Sequence, residues 1–257
     1  MKAHTLSIFA ASVIAASPAA AQQVNGATVS VAYQSIEGDF TGDFDLTSFA
    51  AGLDFGITPT IAVGASIESI MSDDFDEDIF VATARGMYSS GEGAAFGAYY
   101  SVDKNGDFES TLYGIEGAYR SAGSSFEAYF GGADSDLFGP NEVLSTSGLS
   151  LEFRVGAGVS LGLDYQAYKV EDFLQEVSTL EIVDANITDT ALTARYSFAE
   201  GASVYAKAGR IRAFGDSDEP LTRIVGLDDS EYITIGAQYD FAGGALFDAR
   251  TLFSYGN

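Results

Sequence analysis

The chain has 257 residues, no cysteine, one histidine, and 37 acidic against 12 basic side chains, for a net charge of −25. That balance excludes a nucleic-acid surface, which needs a basic stripe, and the missing cysteines exclude disulfides and thiol chemistry. Past its first residues the chain has no uninterrupted apolar stretch of the ~18 or more residues that a membrane helix requires.

Lys2, the apolar run Leu6 to Ala16 and the small residues Ala19-Ala20-Ala21 predict a secretory signal peptide over 1–21, cleaved before Gln22. The only histidine, His4, leaves with it. The exported chain 22–257 is then read as one domain with no histidine or cysteine for a catalytic dyad or a zinc site. A protein that is not an enzyme and carries no cofactor is expected.

From there the pattern is one of alternating strands: 27–35, 45–57, 61–71, 79–89, 94–102, 110–121, 125–133, 146–155, 159–170, 187–198, 202–212 and 231–241, with a further alternating segment at 245–255. Leu46 to Ile70, turning at Thr58-Pro59-Thr60, shows the rule. Phe49, Leu53, Phe55, Val63 and Ile67 fall on one face, and Ser48, Gly52, Asp54, Ser66 and Glu68 on the other. Short turns recur near 91–93, 122–124, 156–158, 199–201 and 242–244. Between them lie longer acidic connections at 36–45, 72–78, 103–109, 134–145, 171–186 and 213–230.

Short turns at one end and long loops at the other predict an all-β transmembrane antiparallel β-barrel of about 12–14 strands. The short turns would face the periplasm and the acidic loops the outside. A soluble sandwich also alternates, but the Gly, Ala, Ser and charged faces here cannot fill a two-sheet core. Aromatic residues near strand ends read as girdles at the membrane interfaces: Phe55, Tyr88, Tyr100, Tyr119, Tyr168, Phe198, Tyr232, Tyr239 and Phe241.

With the apolar face on lipid, the pore-lining candidates are Asp54, Glu68, Arg85, Glu116, Arg120, Glu127, Glu152, Arg154, Asp164, Arg195, Lys207, Asp240, Asp248 and Arg250. Lys169, Arg210 and Arg212 break the parity beside long loops, where a long side chain can snorkel. Oxygen-bearing residues Asp103, Asn105, Asp107 and Glu109 resemble part of a calcium loop without completing one. A solvated acidic loop is the default there.

Thr234, Gly236, Tyr239 and Phe241 fit the closing-strand signal of outer-membrane barrels. With the leader and the hairpin repeat, residues 24–241 resemble a small Gram-negative porin of the alphaproteobacterial kind. The tail 242–257 departs from that pattern. If it were a strand, Phe247, Phe253 and Tyr255 would face lipid and Asp248 and Arg250 the lumen. The resemblance implies an outer-membrane channel for passive diffusion of small hydrophilic solutes. Acidic residues at its mouth would favour cations. Lipopolysaccharide and the barrel-assembly machinery are the implied partners, and both monomer and homotrimer stay open. The alternative is a structural or surface-interaction barrel with a closed lumen.

Overall fold

Alternation at period two gives each strand one apolar and one polar face, and such a ribbon can hide its polar face only by closing on itself. In the computed structural model it does so. Residues 23–38, 43–72, 78–90, 93–106, 108–135, 144–175, 181–215 and 230–251 are described. They form β1 (Gln23–Gly38), β2 (Phe44–Gly56), β3 (Ile61–Met71), β4 (Ile79–Ser89), β5 (Ala94–Asn105), β6 (Phe108–Arg120), β7 (Ser124–Ser135), β8 (Leu144–Arg154), β9 (Val159–Gln175), β10 (Glu181–Ala199), β11 (Ala202–Gly215) and β12 (Ser230–Phe241). Each strand pairs with its neighbours in sequence, and β12 returns to β1, so the twelve strands make a closed barrel. Every ladder is antiparallel, including the closing one from Ala27↔Phe241 to Gly38↔Ser230.

The exposure pattern inverts that of a soluble protein. Leu192, Ile235 and Phe96 are more than 60% exposed, while Asp54 and Glu68 are 1% and Arg85 4% exposed. A water-soluble sandwich would bury the first three and leave the others outside. Exposed aromatics stand on the outer face toward both ends: Tyr88, Phe96, Tyr119, Phe126, Phe153, Phe198, Tyr239 and Phe241 at the short-turn end, and Tyr33, Phe80, Tyr100 and Phe108 toward the loop end. Tyr168 and Tyr232 do not join a girdle as expected from their place near strand ends. Both are buried in the interior, at 7% and 3% exposure.

Three further expectations are corrected. The supposed acidic loop 103–109 is mostly strand: β5 runs to Asn105, β6 starts at Phe108, and Asn105 pairs with Phe108. The connection 171–186 is likewise largely strand, with β9 and β10 pairing Glu181↔Gln175. Finally, 242–251 forms no strand. After β12 the backbone enters left-handed space at Ala242 (φ 52°), Gly243 (93°) and Gly244 (80°), which reverses its direction. The segment then runs into the barrel, and Phe247 is 1% exposed rather than lipid-facing. Residues 1–21, where a leader is expected, most of the connection 213–230, and Phe253 and Tyr255 lie outside the described residues.

Candidate functional site: the barrel lumen

The lumen is lined by the strand faces that alternation turns inward. Ten carboxylates stand there among the described residues: Asp54, Glu68, Asp103, Glu116, Glu127, Glu152, Asp164, Asp189, Asp240 and Asp248. Six basic side chains accompany them: Arg85, Arg120, Arg154, Arg195, Lys207 and Arg250. All fourteen residues named from alternation therefore have an interior position. Asp189 and Asp103 were not among them. Asp103 lay in a segment read as loop, whereas Asp189 lay within the expected strand 187–198, on its inward face, and was passed over.

The charges divide by what they face. On one wall Lys207 Nζ is 3.4 Å from Asp164, whose carboxylate also accepts from Ser150 Oγ (2.6 Å) and Thr193 Oγ1 (2.9 Å). Next to them Arg195 Nε reaches Glu152 at 3.1 Å, and its Nη1 donates to Ser203 Oγ and Gln238 Oε1. This wall borders a cavity of about 810 Å³ at the short-turn end, where Arg120, Glu127, Arg154, Asp240 and Asp248 also stand.

The tail occupies the opposite side. Arg85 Nη1 and Nη2 donate to the carbonyls of Phe247 (2.8 Å) and Asp248 (2.6 Å). Arg120 Nη2 donates to Ala245 O at 2.6 Å. The Leu246 amide donates to Asp54 Oδ2 at 2.7 Å, and the Ala245 amide to Thr28 Oγ1 at 2.9 Å. Higher up, Arg250 pairs with Glu116 at 3.0 Å and with Glu127, and its guanidinium lies 4.4 Å from the Tyr129 ring centroid. Glu116 also holds Arg85, at 3.2 Å. Buried charges are tolerable when each has an opposite partner and hydrogen bonds, and this cluster supplies both.

Toward the loop end the Tyr232 hydroxyl donates to Asp189 at 2.9 Å, Tyr168 OH to Thr251 O at 3.0 Å, and Thr251 Oγ1 to Asp103 at 2.8 Å. Asp103 is thus drawn into the interior, whereas Glu109 is exposed on the outer face opposite Lys104. The two cannot converge on one ion, which removes the calcium-loop reading for that pair; Asp107 lies outside the described residues. Among the described residues no group of three or more acidic, histidine or cysteine side chains converges as a metal site.

On the closing strand, Thr234 and Gly236 point inward and Tyr239 and Phe241 outward. Gly236 leaves room for the Tyr205 ring, which a Cβ there would strike. The Tyr239 and Phe241 rings meet edge to face at 4.5 Å.

Solved structures share this architecture. NanC porin superposes with a TM-score of 0.59 at 10% identity, covering 82% of this chain and 98% of its own. The chain has the fold of outer-membrane porins. An outer-membrane channel from Pseudomonas putida F1 matches with a TM-score of 0.57 at 14% identity, over 88% of this chain and all of its own. KdgM porin, solved in complex with disordered oligogalacturonate, matches at 0.55 and 8% identity, over 83% and 99% of the two chains. No protein-family model matches the sequence, and no curated protein matches it.

Proposed function

We propose that the chain is an outer-membrane channel for small hydrophilic solutes, with its short turns in the periplasm and its long acidic loops outside. One observation carries this reading: an apolar exterior flanked by aromatics encloses a charged interior with about 810 Å³ of open space. The described lining of the cavity holds no histidine or cysteine, and the role we assign to it is passage. Solutes would be filtered by size and by charge.

Cations and neutral solutes are favoured over anions. Among the described residues carboxylates outnumber basic groups in the lumen, and Arg85, Arg195, Lys207 and Arg250 each sit against a carboxylate. A polyanion such as the oligogalacturonate of the KdgM complex would have to displace those partners. The field at the mouth should fade with salt, since the screening length is about 10 Å at 0.1 M.

The test is the zero-current potential of the refolded protein in a planar bilayer under a potassium chloride gradient. A cation-selective sign that weakens at high salt is expected, and anion selectivity at low salt would overturn the preference. A second reading, a barrel with a closed lumen, is favoured by the tail inside it. A folded barrel that never conducts would support that reading.

A further inference from the structure

We propose that residues 242–251 form a tethered plug, and that the lumen wall beneath them is a recognition site for an extended peptide with an aromatic residue and, three positions later, an arginine. The proposal deepens the channel reading and rests on it only for what the site controls.

The wall holds the tail as a receptor holds a peptide, and not as a sheet holds a strand. The tail's backbone pairs with side chains: carbonyls of Ala245, Phe247, Asp248, Arg250 and Thr251 accept from Arg120, Arg85, Ser101 and Tyr168. Its amides at Ala245, Leu246 and Arg250 donate to Thr28, Asp54 and Thr83. Such contacts read any extended backbone. Two side chains add specificity. Phe247 fills a niche of Ala62, Met87, Ala95 and Ala118, where small residues leave space for a ring. Arg250 enters an anionic pocket of Glu116 and Glu127 floored by Tyr129.

The same geometry makes the plug removable. β12 already completes the β1 ladder as far as Phe241, so withdrawing the tail strips no strand of its partner. The left-handed run at Ala242, Gly243 and Gly244 provides the pivot. Gly26 keeps that pivot clear, because a Cβ there would overlap the Gly244 carbonyl. With the tail out, the charges of the pocket would face water that can solvate them, and the passage would widen on the β2–β6 side.

The experiment has a binding arm and a conductance arm. A chain ending at Phe241, folded in detergent, is titrated with a fluorescent peptide of residues 242–251 and read by anisotropy. Saturable binding is expected, at least tenfold weaker for the peptide carrying Arg250→Ala and abolished by scrambling. Equal binding of the native and scrambled peptides would overturn the site. In bilayers the shortened barrel should conduct severalfold more than the full chain, and the peptide should restore the lower level. Saturable binding without any conductance would leave the site standing and sink the channel reading.

Should the shortened chain fail to fold, the full-length Gly52→Cys, Ala245→Cys protein carries the test. The Cβ positions lie about 3.1 Å apart, close enough to a disulfide's spacing to bridge with a small shift, and the native chain has no competing cysteine. Oxidation should cross-link the pair and hold conductance low, and reductant should raise it at least twofold. Absence of the cross-link, or conductance indifferent to it, overturns the plug.

Discussion

Glu116 holds two guanidiniums at once, Arg85 at 3.2 Å and Arg250 at 3.0 Å, with its own side chain fully enclosed. Removing one member of a buried pair costs more than the pair contributes, because the remaining charges stay behind without a partner. Glu116→Ala should therefore destabilise the folded barrel by about 3–5 kcal/mol. The Arg195–Glu152 pair has the same chemistry but faces the open cavity, with side chains 21% and 29% exposed. Water can replace the lost partner there, so Glu152→Ala should cost about 1 kcal/mol or less. Urea titrations of the two variants in vesicles, followed by the shift of the folded gel band, check the contrast. Comparable losses would mean that the enclosed cluster is as wet as the cavity.

At the scale of the strand, legibility followed from the solvent on each side. β2 and β3 were readable from Leu46 to Ile70 because lipid selects Phe49, Val63 and Ile67 on one face while the lumen selects Asp54 and Glu68 on the other. β5 and β10 were cut short for the same physical reason. Asp103 in β5, and Glu181 and Asp184 in β10, carry charge just as loop residues do, and composition alone cannot separate them. The tail misled in the opposite direction. Phe247 and Arg250 look like members of opposite strand faces, yet both are buried, while Asp248 between them faces the cavity. A peptide lying along a wall also alternates, and only tertiary pairing distinguishes it from a strand. The strand parity itself is testable. Leu192 is 66% exposed on the outer face of β10, opposite Leu163, away from either end. Leu192→Arg should cost about 2–4 kcal/mol by placing a charge on the lipid face. Outward charges already tolerated, Lys169 and Arg212, stand near the loop end, where snorkelling is cheap. A neutral result in the same titration would place Leu192 off the lipid face.

For the whole molecule the open question is which end faces out. The connections at the loop end are acidic, and across 39–43, 72–78, 106–107, 136–143, 176–180 and 216–229 the sequence has one Lys or Arg, Arg223. It joins β11 to β12 through the connection 216–229. The short-turn connections at 57–60, 90–93, 121–123, 155–158 and 200–201 have none. Trypsin cleaves after basic residues, so orientation reduces to the accessibility of one bond. With the loop end outside, trypsin added to intact cells should cut after Arg223 and split the chain into a large and a small fragment. Arg223→Gln should abolish that cut. The split barrel should stay associated in mild detergent, since β12 is held by ladders to both β1 and β11. With the opposite orientation the same bond would be cut only once the outer membrane is breached, and that result would invert the topology. The fragments would still have to be held by the same two ladders, so co-migration in mild detergent tests closure of the barrel independently of its direction.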